Sequence, residues 1–432
     1  MKKLFLLLLL VPALLGAQDS FGFDGSDFGF SGSKGPSVSI GGELGAELRV
    51  FLDDFTSRDK IKKIRAGDIF SGNLGFSVSG SSAEGLVSLD IFPVFDGSSP
   101  LEIDEAYVRA FFGPVSVTGG IRKLTWGKAD SFGPLDVVNP IDFSDLSYIS
   151  DPLSVKISRP MIHADWAFRS FSKLEAVFVP WFRGHKFATS GRWTPSQVLQ
   201  LQGLGINVDD YYPDTYTLEY FQAGARFNAT LGSSDLGVQY YSGRLNRPAV
   251  IMQMIPVVAP LVNYNHYHQV GVDFARVIAG FNLRAEAGVN ITGDLDGSDG
   301  AVENPAVVWS LGFDRDIFAG INLNLQGNGS VKLFHNKIGD SIFVDCESGS
   351  KQSSTRITGI ISRKFLKDEL ELKLTGLWGI EDRDFLLMPA VGWSRNDVSV
   401  ELSAGFFGGD KSGELGQYRD NGYLKMVLSY KF

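Results

Sequence analysis

Cysteine is almost absent from these 432 residues: Cys346 stands alone, so neither an intrachain disulfide nor a cysteine metal cage can form. Long apolar runs are absent too. The interior holds no stretch of about 20 apolar residues, which excludes a membrane-spanning helix. A basic surplus is also missing, since 49 Asp and Glu outnumber 40 Lys and Arg. That balance argues against a nucleic-acid partner, whose phosphates would demand a basic face. Signatures of catalysis are lacking as well: no Gly-Xaa-Ser-Xaa-Gly elbow, no His-Glu-Xaa-Xaa-His pair and no phosphate loop. His266 and His268 have strand spacing and read as rim residues, while His163, His185 and His335 are scattered. The chain is therefore read as a non-enzyme, with no cofactor and no metal.

What the sequence has is alternation. In the last eleven residues, Leu424, Met426, Leu428, Tyr430 and Phe432 share one parity, and Lys425, Ser429 and Lys431 fall on the other. This is a strand with one apolar face. The same period returns throughout residues 38–432. Leu44, Ala46, Leu48 and Val50 oppose Glu43, Glu47 and Arg49; Leu283, Ala285, Ala287 and Val289 oppose Arg284, Glu286 and Asn290; Leu370, Leu372 and Leu374 oppose Glu371 and Lys373. A soluble sandwich and a membrane barrel both alternate in this way, with opposite faces wet.

Connection lengths favour the barrel. About 18 strands, range 14–18, run from 38–52 to 420–432. Tight turns fall at Gly113-Pro114, Ser170–Ser172, Gly232–Asp235, Ile278–Gly280, Asp316–Phe318 and Phe365–Asp368, and longer connections at 125–158, 185–216, 247–263, 294–303, 335–353 and 409–419. Short and long alternate, as periplasmic turns and extracellular loops do. The fold class is therefore all-β: a transmembrane antiparallel β-barrel. Tyr240, Tyr241, Tyr264, Tyr267, Trp309, Trp378, Trp393 and Tyr430 lie near strand ends, where aromatic rings suit the headgroup region.

The N-terminus reads as an export signal over 1–17: Lys2 and Lys3, an apolar run from Leu4 to Leu15, then Gly16-Ala17. Residues 18–37 are Gly- and Phe-rich and are expected to be flexible, either as a periplasmic lead or as a hatch in the barrel mouth. The barrel occupies 38–432, and bacterial outer membrane is the expected location.

The terminal strand resembles those of bacterial outer-membrane barrels, in which a final aromatic such as Phe432 is read by the insertion machinery. A second resemblance lies in the longest irregular segment. Thr125-Trp126-Gly127-Lys128-Ala129-Asp130, followed by Asn139-Pro140-Ile141-Asp142, is similar to the segment after an early strand in porin-like barrels of the alginate-export and uncharacterised porin families. That resemblance covers about thirty residues. It implies a loop that folds inward and narrows the pore, with Lys128, Asp130, Asp136, Asp142 and Asp145 in the lumen. The acidic chain departs from the basic lumen implied for an alginate exporter.

The wet faces offer Arg49, Arg109, Arg226, Arg284, Arg356 and Lys373 with Glu43, Glu47, Glu105, Glu286, Glu371 and Glu401 as lumen-lining candidates. The reading is a passive channel for small hydrophilic solutes, surrounded by outer-membrane lipid and compatible with a homo-oligomer. One rival is a hydrophobic-ligand transporter that uses the apolar stretch Pro248–Val258 as a capture surface; a short buried helix is the alternative reading of that stretch. Another is a non-conducting surface adhesin.

Overall fold

In lipid no water is available to bond free strand edges, so a spanning sheet must close on itself. The computed structural model describes residues 36–56, 70–91, 101–168, 171–254 and 259–432, and shows one closed 18-stranded sheet. The segment read as a signal, 1–17, and the Gly/Phe-rich lead except Pro36 and Ser37 lie outside the described residues.

The strands are β1 Ser37–Phe51, β2 Phe70–Ser79, β3 Ala83–Ile91, β4 Leu101–Phe112, β5 Val115–Arg122 and β6 Arg159–Ala167. Then follow β7 Ser172–Val179, β8 Gln222–Leu231, β9 Ser234–Arg244, β10 His266–Ile278, β11 Phe281–Thr292 and β12 Ala306–Asp316. The last six are β13 Ile321–Lys332, β14 Ser353–Phe365, β15 Leu370–Gly379, β16 Asp384–Arg395, β17 Val398–Gly409 and β18 Tyr423–Lys431. Each pairs antiparallel with the next, and β18 closes on β1 from Phe51↔Tyr423 to Glu43↔Lys431. Gly42 and Phe432 extend that seam by exchanging backbone bonds of 3.0 Å in both directions.

All eighteen expected strands are present, with shorter ends where apolar alternation misleads. The strand β7 stops at Val179, and Phe182 beyond it is fully buried in loop packing rather than in the wall. One-sided turns are tight. Ala279 and Gly280 both take positive φ, 52° and 79°, the pair of left-handed conformations that a two-residue hairpin turn needs.

Side-chain exposure settles which face is wet. Outward parity carries Val272, Leu311, Ile361, Leu402 and Met426, all exposed, whereas inward parity carries Gln239, Gln269, Asp273, Glu286 and Gln326, all at most 3% exposed. A soluble sandwich would do the reverse. An apolar band running round the whole outer wall requires hydrocarbon around it. Among the described residues no helix is long and apolar enough to cross a membrane; the longest of them, Ser196–Gly203, lies in a loop.

Leu311 sits midway along β12 and is 61% exposed on the outer face. Leu311→Arg should cost about 2–4 kcal/mol, whereas Glu371→Gln, on the inner face of β15, should stay within about 0.5 kcal/mol. Urea titration of the barrel refolded into vesicles checks both. A neutral Leu311→Arg would contradict the lipid-facing assignment.

Candidate functional site

The connection from β5 to β6, residues 123–158, does not project from the barrel; it lies against the inner wall. Asn139, 1% exposed, ties its two ends together. The Asn139 side-chain oxygen accepts from Leu124 N at 2.8 Å, while its amide donates to Arg122 O at 3.1 Å and Ile157 O at 2.8 Å. The Asn-Pro-Ile-Asp run is therefore structural, since one buried amide satisfies three backbone groups that leave the sheet. Asp142–Phe143 then pairs in parallel with Lys186–Phe187 of the next long loop.

An irregular backbone in the lumen needs partners, and the polar inner wall supplies them. Glu286 of β11 accepts from the backbone N–H groups of Lys128, Ala129 (2.7 Å) and Leu135 (3.3 Å). Gln326 of β13 accepts from Asp130 N at 2.8 Å, and Asn328 donates to Phe132 O at 2.7 Å. Gln239 of β9 donates to Leu135 O at 2.9 Å and Gln269 of β10 to Pro134 O at 3.0 Å. Farther along, the segment reaches β1 and β18. Tyr148 donates to Glu47 at 2.6 Å, Arg49 binds Asp145 and Ser147 at 2.5 Å, and Lys425 donates to Ser147 O at 3.2 Å. β1 and β11 are nearly diametric in the ring of strands, so the segment bridges the lumen.

Of the five residues expected on this segment, the four acids are all in ion pairs. Asp130 meets Arg284 and takes a 2.8 Å bond from Asn324; Asp136 pairs with Lys156 at 2.5 Å, Asp142 with Lys186 at 2.9 Å and Asp145 with Arg49 at 2.5 Å. Lys128 alone has no hydrogen-bonded or ionic side-chain partner among the described residues. It lines a cavity of about 400 Å³ together with Ser172, Lys173, Asn228, Thr230 and Asp235.

The wall candidates are also mostly engaged. Arg109 pairs with Glu84 at 2.9 Å, Arg226 with Asp273 at 2.8 Å, Arg284 additionally with Asp314 at 2.6 Å and Arg356 with Glu414 at 3.0 Å. Glu105 accepts from Lys123 N at 2.7 Å, and Glu43 stands 3.7 Å from Lys431. Glu371, Lys373 and Glu401 hold inner-parity positions without a hydrogen-bonded partner among the described residues. The anchors Gln239, Gln269, Gln326, Asn328 and Asn139 are neutral and lack the charge that marks the other candidates. Their wet-face parity was the available signal.

Two apolar clusters fill out the interior. Leu146 and Ile149 of the bridging segment and Trp193, Leu415 and Tyr418 of other loops pack on Leu377, Leu386, Met388, Phe407 and Tyr423 of the inner wall. Trp126, Val137 and Val138 pack on Met161, Val177, Tyr241 and Tyr267. This corrects the aromatic-girdle reading for three residues: Tyr241, Tyr264 and Tyr267 are buried inside, while Tyr240, Trp378, Trp393 and Tyr430 are exposed on the outer wall. The described part of the apolar stretch after Arg247 is likewise no helix. Ala249–Gln253 pairs with Ala259–Asn263 as a hairpin, with Ala249, Met252 and Val262 buried.

The histidines divide. His266 and His268 share an outer face, bonded to Ser242 at 3.1 Å and Tyr240 at 2.8 Å. His163, Asp165 and Glu175 cluster on the inner wall, where the Lys173 ammonium lies 2.9 Å from Glu175 and 3.3 Å from Asp165 and already fills the place of a cation.

No protein-family model and no curated protein matches this chain. Solved structures do. OccAB4 of Acinetobacter baumannii is similar with a TM-score of 0.52 at 9% identity, over 91% of this chain and 97% of that one. OccK1 (OpdK) of Pseudomonas aeruginosa is similar with a TM-score of 0.50 at 9% identity, over 91% and 98%. At such identity the likeness concerns the fold. The chain is a closed 18-stranded antiparallel transmembrane β-barrel, and it shares that fold with these two proteins.

His185 links the loops to pH. Its Nδ1 accepts from Ile141 N at 2.8 Å, which requires the neutral ring, and burial together with nearby Arg247 pushes its pKa down to about 3. A depressed histidine stabilises the docked loops fully above its unfolded value, near 6.5, and loses that contribution as pH falls toward 3. Proteolytic protection of the loops should therefore weaken between about pH 6 and pH 4. In His185→Asn, whose amide oxygen can accept the same bond, protection should stay flatter; identical profiles would overturn the assignment.

Proposed function

We propose that this chain is an outer-membrane channel for passive diffusion of small hydrophilic solutes, with residues 125–158 as its constriction. The carrying observation is the bridge from Glu286 and Gln326 on one wall to Arg49 and Glu47 on the other, which supports a narrowing of the lumen at this level. Such a channel works by exclusion. Solutes enter from the extracellular side, pass the bridging segment beside hydrogen-bonding wall groups and leave through the turn-side mouth. The ion pairs around the bridge cancel most fixed charge, so selection by size dominates selection by sign.

On the bridging segment Lys128 is the exception: it has no ionic partner among the described residues and lines a cavity with Lys173, where a passing ion can meet it. Outer-membrane lipid is the partner of the outer wall, and the seam strand ending at Phe432 is the segment offered to the insertion machinery.

The apolar filling favours one rival: a barrel shut at rest, whose loops present a binding surface as an adhesin would. Vesicle swelling with neutral sugars of increasing size separates the two. The channel should admit monosaccharides and slow or exclude tetrasaccharides, and under a KCl gradient its zero-current potential should lie near zero and move toward cation preference in Lys128→Glu. Swelling with no sugar would leave the adhesin reading. Strong charge selectivity unaffected by Lys128→Glu would refute the assignment of Lys128.

A further inference from the structure

The outer wall carries cations where an apolar wall should have none. Arg276 on β10, Arg315 on β12 and Arg363 on β14 all fall on outward parity. Arg276 lies opposite Leu283 and Ser234, Arg315 opposite Leu323, and Arg363 opposite Ile321 and Leu372. Each sits within two residues of the end of its strand on the short-turn side. They therefore share one level, on alternate strands and so roughly 10 Å apart.

None of the three guanidiniums has a carboxylate partner among the described residues. Arg315 lies over the Phe281 ring at 4.3 Å and Arg363 over Phe365 at 4.6 Å, contacts that leave the guanidinium edges free to donate. Acids near this rim are engaged elsewhere: Asp316 accepts from Asn322 at 2.9 Å, Asp235 from Thr230 at 2.5 Å, and Glu369 stands 3.8 Å from Arg395. Asp368, in the β14–β15 turn, is exposed.

Apolar side chains flank this level on both sides. Val272, Leu311 and Ile361 stand toward the middle of the wall, and Ile278 at the end of β10 with Phe318 and Leu366 in the turns lie beyond the arginines, at 46%, 78% and 67% exposure. Those apolar residues place the rim within the interface rather than in bulk water. A guanidinium held there needs an anion, and its planar fork matches phosphate.

We propose that Arg276, Arg315 and Arg363 form a belt that binds the phosphate headgroups of anionic phospholipid in the periplasmic leaflet. The belt fixes the depth of the barrel and selects lipid on the β10–β14 side. This rests on short turns being periplasmic and is independent of whether the lumen conducts.

The test uses the purified mature barrel in vesicles of phosphatidylcholine containing brominated phosphatidylglycerol or brominated phosphatidylcholine, read by quenching of outer-wall tryptophan fluorescence. The wild type should prefer phosphatidylglycerol by at least about fivefold. The triple variant Arg276→Gln/Arg315→Gln/Arg363→Gln should show a ratio near one, and Lys411→Gln/Arg419→Gln in the last long loop should retain the preference. Heat-modifiable gel mobility confirms folding. Should the triple variant fail to fold, raising the salt on the wild-type barrel must abolish the preference. A wild-type ratio near one, an unchanged ratio in the folded triple variant or a salt-insensitive ratio would overturn the proposal. Loss of preference when inorganic phosphate replaces chloride at equal ionic strength would assign the belt to free phosphate instead and overturn the lipid assignment.

Discussion

The constraint on which everything else depends is that a backbone amide in hydrocarbon must find a partner within the chain. Closure of β18 on β1 meets it for the wall, down to the two bonds between Gly42 and Phe432. Closure at 18 strands brings a second problem: the ring encloses more space than its own side chains fill. Here irregular chain enters that space. Its amides are satisfied by inward Glu286, Gln326, Gln239 and Gln269, and its own ends by Asn139. Wall and segment specify each other.

Two kinds of interaction hold the docked loops, and their magnitudes differ. Arg247–Glu414 is a well-exposed pair, worth about 0–1 kcal/mol. Burial of Trp193, Leu415, Leu386 and Phe407 contributes about 1.5–3 kcal/mol for each side chain. Apolar packing therefore secures the docked loops. Enclosed pairs such as Arg226–Asp273, 5% and 0% exposed, set position instead, because removing either member strands a charge.

Period two exposed the wall in the sequence. Strand number, turn sides and the inner parity of Arg49, Arg226, Arg284 and Glu286 were all legible, because alternation in a barrel is imposed residue by residue. The inversion relative to a sandwich was not legible in periodicity, and resolved only when polar Gln269 proved buried and Leu311 exposed. Loop interiors were hidden for a related reason. Tyr241 and Tyr267 look like girdle residues because an aromatic near a strand end suits either an interface or a plugged lumen. Asp130, Asp136, Asp142 and Asp145 looked like a filter because sequence shows an acid but not the base opposite it. Their partners Arg284, Lys156, Lys186 and Arg49 lie between 20 and 154 residues away.

The central claim, a segment held across the lumen by wall side chains, is tested most directly by single-channel conductance in a planar bilayer. Three forms are compared: the mature protein, Glu286→Ala/Gln326→Ala, and a form in which 125–158 is replaced by a short Gly/Ser turn. Conductance should rise in that order, with uniform small steps in the mature protein and noisier steps once the two anchors are gone. Equal steps in all three folded forms would show that the segment does not stand in the conducting path, and silence in all three would show that no such path exists.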